Sequence, residues 1–186
     1  MDSSKLKSSL KEMLSIIVVA FVVSMILRTF ILEARVIPSG SMLPTIQIQD
    51  RVLVSKFAYW FKEPQRGDII VFQPPIESDE DYIKRVMGLP GDKLEVRDMH
   101  LYINDVLLEE PYIQEPMQYA FGPVTVPEGC LFVMGDNRNS SYDSHLWGEW
   151  LSMDAVKGKA FMTYWPLNHI KMLKWEGSWD ESTADQ

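Results

Sequence analysis

The chain has 186 residues with 26 acidic side chains against 18 lysines and arginines, which gives a formal net charge of -8 at pH 7. No basic patch is visible that would neutralise phosphates, so nucleic acid is not predicted as a partner. Cys130 is the single cysteine, which excludes an intrachain disulfide and a thiolate metal cluster within one chain. The length suits one membrane segment followed by one domain with a core of ordinary size.

An apolar run, LSIIVVAFVVSMILRTFIL, extends from Leu14 to Leu32. At ~1.5 Å per residue, a helix of this run spans about 28 Å, close to the thickness of the hydrocarbon core of a bilayer. A cleaved signal peptide is the alternative, because lysines precede the run. However, the run exceeds the ~7–15 residues of a typical signal-peptide core, and no clear small-x-small pair follows it. We predict a cytoplasmic arm at residues 1–13 and a single transmembrane helix at residues 14–32, with the lipid bilayer as a partner.

Short runs of β-branched and aromatic residues, closed by proline or glycine, follow the predicted anchor and are typical of strands. These runs lie at residues 50–61, 67–75, 129–137 and 158–166. Two further alternating runs in residues 93–108 flank a polar turn near Asp98 and Met99, which predicts a hairpin. No long amphipathic helix is evident. Residues 36–186 are therefore predicted to form a mainly β domain, with residues 93–127 as an inserted β excursion.

Two serines lie in the segment PSGSMLP, residues 38–44, soon after the predicted anchor. A serine hydroxyl becomes a nucleophile only when a base takes its proton, and histidine is the usual base. Asp143, Ser144 and His145 hold the three residue types of a serine-protease triad in a row. Neighbouring residues of an extended chain point in different directions, so we do not predict a triad there. The histidines also lack the spacing of metal ligands, and no metal site is predicted.

Lysine is the remaining type of base, and Lys84 lies in the run DYIKRVMG, where one face of a strand would be buried. Burial disfavours the ammonium form and is the physical route to a neutral lysine. From this run alone, a surface lysine at the edge of a strand is an open alternative.

Five motifs, taken together, favour a catalytic over a structural interpretation of these serines and of Lys84. In chain order they read PSGSMLPT, DRVLVSKFAY, RGDIIVF, YIKRVMGLPGD and GDNRNSSYDSHLWG. In this order and at these separations they resemble the type I signal peptidases of bacteria and organelles, and the last motif resembles the cyanobacterial and thylakoid members in particular. The resemblance extends from the anchor to about Pro166. It implies a serine endopeptidase without a cofactor that removes signal peptides from translocated preproteins. It also implies a plasma or thylakoid membrane location, with the catalytic domain on the extracytoplasmic or lumenal side.

The same resemblance implies roles for individual residues. Ser41 matches the nucleophile, Lys84 the general base, and Ser39 the hydroxyl that assists the Ser41 amide in the oxyanion hole. Ser141 and Asp143 match positions that orient the lysine and brace the site. The positions that match the family's substrate pocket are Ile37, Pro38, Met42 and Ile83.

His145 departs from the commonest bacterial pattern, in which an arginine is frequent at this position. Histidine offers neither the permanent charge nor the forked contact of arginine, so an ion pair with Asp143 is left open. Arg85 and Asp136 are expected to form a structural pair.

Two other functions stay open from the sequence. A self-cleaving LexA-type Ser/Lys protease would share the dyad and the β fold, but the predicted anchor and the absence of a DNA-binding module argue against it. A membrane-anchored β domain that binds peptides without cutting them would not need both Ser41 and Lys84. Cleavage of a preprotein with an Ala-x-Ala site would discriminate between these functions.

Overall fold

The computed structural model describes residues 3–26 and 31–177. Helix α1 runs from Ser3 to Ile26. Among these described residues, no helix combines the length and the apolar character needed to cross a membrane. The predicted transmembrane segment reaches beyond α1 into residues 27–30, which lie outside the described residues, and its last residue, Leu32, begins the first strand. The anchor therefore stays a prediction.

The described part of the chain beyond residue 30 is mainly β, as predicted, and its strands are short. Their bounds are β1 Leu32–Val36, β2 Arg51–Ser55, β3 Ile69–Phe72, β4 Tyr82–Gly88, β5 Lys93–Arg97, β6 His100–Ile103, β7 Val106–Leu107, β8 Phe121–Thr125, β9 Cys130–Met134, β10 Leu151–Ser152, β11 Val156–Trp165 and β12 Lys171–Met172. One four-residue helix, α2, spans Ser144–Trp147. Single 3-10 turns lie at Lys56–Tyr59, Arg138–Ser140, Met153–Ala155 and Leu167–His169.

The larger sheet has eight strands in the order β1-β2-β11-β3-β4-β9-β10, with β12 paired to β11. Its central strand β3 is buried along its whole length because it lies between β11 and β4. This explains why its sequence, IIVF, is a continuous apolar run rather than an alternating one. Strand β4 carries Lys84 opposite Ile70 of β3, so the lysine stem begins inside the sheet rather than at its edge.

The smaller sheet has four strands in the order β7-β6-β5-β8. All four lie within the segment predicted as an inserted excursion. Asp98 and Met99 join β5 to β6 in a two-residue hairpin turn. Both residues have positive φ, as a type I′ turn requires. An apolar cluster that includes Leu94, Leu101 and Phe132 packs this sheet against β9 of the larger sheet.

A second apolar cluster lies beneath residues 37–50, the segment that joins β1 to β2. Hydrogen bonds close the base of this segment, from the Ile37 N–H to the Asp50 carbonyl (2.9 Å) and from the Gln49 N–H to the Ile37 carbonyl (2.8 Å). Met42 and Ile46 are fully buried in the cluster. The serine-containing turn is therefore held by hydrogen bonds at its base and by apolar packing beneath it.

Candidate active site

Ser41 is held in a tight turn by its neighbours in the chain. The Leu43 N–H donates to the Gly40 carbonyl (3.2 Å), and the Ile46 N–H donates to the Met42 carbonyl (2.9 Å). Met42, the next residue in the turn, is fully buried in the core. Ser41 is buried yet contributes to the lining of a cleft.

Lys84 meets this serine from β4. Its Nζ lies 2.7 Å from the Ser41 Oγ, and the lysine is only 4% exposed. Burial lowers the pKa of Lys84 to about 8, against the opposing effect of the Asp143 and Asp136 carboxylates. A buried amine at hydrogen-bond distance from a hydroxyl is the arrangement needed for a base that activates a nucleophile.

A glycine-containing loop after β9 packs against the serine turn. Asn137 donates its backbone N–H to the Ser41 carbonyl (3.0 Å) and its side-chain Nδ2 to the Gly40 carbonyl (3.1 Å). Gly135 leaves the space for this contact, since a Cβ there would lie 2.4 Å from the Ser41 carbonyl oxygen and 2.3 Å from the Ser141 Oγ. The Ser141 Oγ is buried and has no hydrogen-bond partner among the described residues.

Asp143 is fully buried behind the lysine. Its Oδ2 accepts the Gly135 N–H (2.8 Å), and its Oδ1 lies 2.6 Å from the Nδ1 of His145. The contact left open by the sequence is thus present. Ser144, by contrast, accepts the Val133 N–H (3.0 Å) and takes no part in a triad.

Arg85 and Asp136 form the expected pair, in which the guanidinium Nε and Nη2 lie 2.8 and 2.6 Å from the two carboxylate oxygens. Both side chains are buried, and Thr45 donates its hydroxyl to the same carboxylate. This pair joins β4 to the loop that carries Asn137, so it holds together the two segments that flank Ser41.

The cleft beside the dyad has a volume of about 410 Å³. Its walls are formed by Pro38, Ser39, Gly40, Ser41, Glu80, Asp81, Tyr82, Ile83, Lys84, Asn137, Ser140 and Tyr142. Of the four pocket positions taken from the family, Pro38 and Ile83 line it. Ile37 and Met42 do not, because both are buried in the apolar cluster beneath the serine turn.

The cleft is lined by residues beyond those predicted from the sequence. Asn137, Ser140 and Tyr142 line the cleft but were not singled out. All three lie in the last of the five motifs, so the motif itself was the signal that pointed to them. Within the described residues, no group of three or more histidine, cysteine or acidic side chains is arranged to hold a metal ion.

Comparison with known proteins identifies the family. Residues 10–165 match the family described as signal peptidase, peptidase S26. The chain is 43% identical over 161 residues to the probable signal peptidase I-2 of Synechocystis sp., covering 84% of this chain and 73% of that protein. It is 41% identical over 161 residues to the chloroplastic thylakoidal processing peptidase 1 of Arabidopsis thaliana, covering 81% of this chain and 47% of that protein.

The chain is 39% identical to a signal peptidase I from Enterococcus faecalis V583 whose crystal structure is known, with a TM-score of 0.47. The matched region covers 53% of this chain and 97% of the chain in that crystal structure. The family match extends from α1 to the end of β11 and includes every residue of the cleft. The chain therefore belongs to the signal peptidase family, peptidase S26.

Proposed function

We propose that this signal peptidase cuts signal-peptide-bearing preproteins by acyl transfer through Ser41 and Lys84. Neutral Lys84 takes the hydroxyl proton as the Ser41 Oγ attacks the scissile carbonyl, and then gives that proton to the leaving amine. Water, activated by the same amine, hydrolyses the ester and restores the serine. The observation that carries the proposal is the 2.7 Å contact between Nζ and Oγ.

The developing oxyanion is stabilised by the Ser41 backbone N–H and the Ser39 hydroxyl. Ser39 lines the same cleft two residues before the nucleophile and is exposed there. Donors placed in this way act on the transition state more than on the substrate, because charge appears on the carbonyl oxygen only as the tetrahedral intermediate forms. Asp143 and Ser141 brace the lysine from the opposite side.

Small side chains at the first and third positions before the cut are the preferred substrate residues. Pro38 and Ile83 give the cleft rigid apolar walls close to the dyad. Ile83 is partly buried against the cluster beneath the serine turn, so it cannot move aside easily for a large substrate side chain.

The bilayer is the other partner in this proposal. The apolar run from Leu14 to Leu32 supplies the single membrane crossing, and β1 begins at its end, so the dyad would lie on the membrane side from which preproteins emerge. A cytoplasmic N-terminus puts the catalytic domain on the extracytoplasmic side of a plasma membrane or the lumenal side of a thylakoid membrane.

Cleavage of a preprotein with an Ala-x-Ala site by the detergent-purified chain tests the proposal. We expect processing by the unaltered chain, none by Ser41→Ala and none by Lys84→Arg, because a guanidinium does not give up its proton. The matched controls are Ser152→Ala, at an exposed position of β10, and Lys93→Arg, at a partly exposed position of β5. Both lie outside the cleft and should process normally.

Precursor that binds to the unaltered chain but is never cut would favour the peptide-binding alternative. Cleavage by Lys84→Arg at a rate close to that of the unaltered chain would exclude Lys84 as the base.

A further inference from the structure

His145 is a buried titratable side chain that the acyl-transfer mechanism does not use. Its side chain is 8% exposed, and its Nδ1 lies 2.6 Å from the Asp143 Oδ1. An ionised carboxylate only accepts hydrogen bonds, so the Nδ1 must carry the proton that is shared between the two groups. The ring is therefore a donor to Asp143 whether its other nitrogen is protonated or not.

The ring of His145 is held in one orientation by its surroundings. Tyr119 stacks on it with centroids 4.3 Å apart and planes 5° apart, and Phe121 of β8 meets it edge-on at 6.2 Å. Tyr119 is itself uncharged, since burial raises its pKa above the ordinary value, with a further contribution from the charge of Asp143.

Asp143, Arg138 and Glu110 are the charged groups that act on Tyr119 of this stack within the described part of the chain. Asp143 contacts His145 directly. Arg138 and Glu110 form a buried ion pair with two hydrogen bonds between them, and their charges act on Tyr119 in opposite directions. Because Arg138 and Glu110 compensate each other, Asp143 is the group whose charge a positive charge at position 145 would offset.

Asp143 in turn connects the imidazole to the dyad. Its charge raises the pKa of Lys84, opposing the effect of burial. Its second oxygen accepts the Gly135 N–H, and Gly135 lies against the Ser41 carbonyl. The orientation and the effective charge of this carboxylate therefore act on both members of the dyad.

We propose that His145 is a positioning residue that sets, through Asp143, how readily Lys84 takes the proton of Ser41. The proposal rests on the acyl-transfer mechanism given above. A positive charge at position 145 offsets the carboxylate and makes the lysine ammonium less favourable, so that the base becomes neutral at lower pH. A neutral donor at position 145 orients the carboxylate but leaves its charge in place.

The pH profile of kcat/KM on a peptide substrate tests this inference, because its acidic limb reports the base of the free enzyme. His145→Arg makes the charge permanent and His145→Gln removes it while keeping a donor. We expect the acidic limb of the His145→Arg profile to lie about 0.5–1 pH unit below that of His145→Gln. A neighbouring positive charge that is partly compensated by Asp143 would produce a shift of this size. His145→Lys supplies the charge in a smaller side chain if the arginine prevents folding.

His169 provides the matched control, because its Nδ1 pairs with Asp50 at 2.7 Å outside the cleft. His169→Gln should give the profile of the unaltered chain. Identical limbs in the cationic and neutral variants of position 145, whatever their overall rates, would reduce His145 to a structural residue and overturn the inference. In that case, an inactive Lys84→Arg variant would still support the Ser41 and Lys84 dyad. An active Lys84→Arg variant would instead refute the acyl-transfer mechanism itself.

Discussion

Replacing Lys84 by methionine should stabilise the protein while removing its activity. Methionine is one atom shorter than lysine and similar to it in shape, but it has no charge to desolvate. In the native protein the pKa of Lys84 falls from 10.5 to about 8, chiefly because of burial. This shift corresponds to about 3 kcal/mol by which the folded state disfavours the ammonium form relative to the unfolded state.

The sign of the pH dependence follows from proton binding. Between about pH 8 and pH 10.5 the unfolded chain holds a proton on Lys84 that the folded chain has lost, so the folded state gains stability as the pH rises through this window. Below about pH 8 the full penalty is present, and above 10.5 it is absent. The advantage of Lys84→Met should therefore be about 2–3 kcal/mol at pH 7 and shrink towards zero near pH 10.5.

Urea unfolding of the detergent-solubilised chain, followed by the fluorescence of its 6 tryptophans, measures this difference at pH 7 and at higher pH. Lys93→Met is the control, since Lys93 pairs with Asp105 on the exposed side of the small sheet and should change stability little. Equal stability of Lys84→Met and the unaltered chain at pH 7, or an advantage that persists unchanged at alkaline pH, would refute the claim that the native fold disfavours a charged lysine here.

Three further changes are predicted from the surroundings of the dyad. Ser39→Ala should lower kcat by roughly two to three orders of magnitude through the loss of one oxyanion donor, which single-turnover cleavage measures. Gly135→Ala should abolish cleavage without unfolding the domain, because its Cβ would lie 2.4 Å from the Ser41 carbonyl oxygen; normal turnover would mean that the loop moves freely. Arg85→Gln leaves Asp136 buried without its ion-pair partner and should destabilise the fold by about 3–5 kcal/mol in urea unfolding.

The mainly β character of the fold is predicted from the sequence, whereas the contacts around the proposed dyad are not. The run that contains Lys84 is predicted to be a strand with one buried face, and the resemblance carried by the five motifs implies the roles of Ser41 and Lys84. Their contact joins residues 43 positions apart, and the Asn137 amide reaches Gly40 across 97 positions. Spacing along the chain contains no information about such distances, so Asn137 could be named only as part of a motif.

The absence of Ile37 and Met42 from the lining of the cleft has a physical explanation. Ile37 and Met42 flank the serine turn in sequence, which makes them plausible walls for a substrate. The hydrogen bonds between Ile37 and residues 49 and 50 close the segment over the core, and this closure turns both side chains inward. The direction of side chains in an irregular segment depends on such closing contacts rather than on a period of two or of 3.6 residues.

Burial and the nearby carboxylates shift the pKa of Lys84 in opposite directions. Both effects suit the role of a general base that we propose for this lysine. Burial alone would give an amine that is neutral but weakly basic, which takes the serine proton poorly and donates it readily. The charges of Asp143 and Asp136 restore part of the basicity. With a pKa of about 8, roughly one molecule in ten has a neutral lysine at pH 7, and that amine remains basic enough to accept a hydroxyl proton as the carbonyl is attacked. In the proposed mechanism, the buried carboxylates of Asp143 and Asp136 therefore support the base, since without them the lysine would give up its proton more easily and attract the Ser41 proton less strongly.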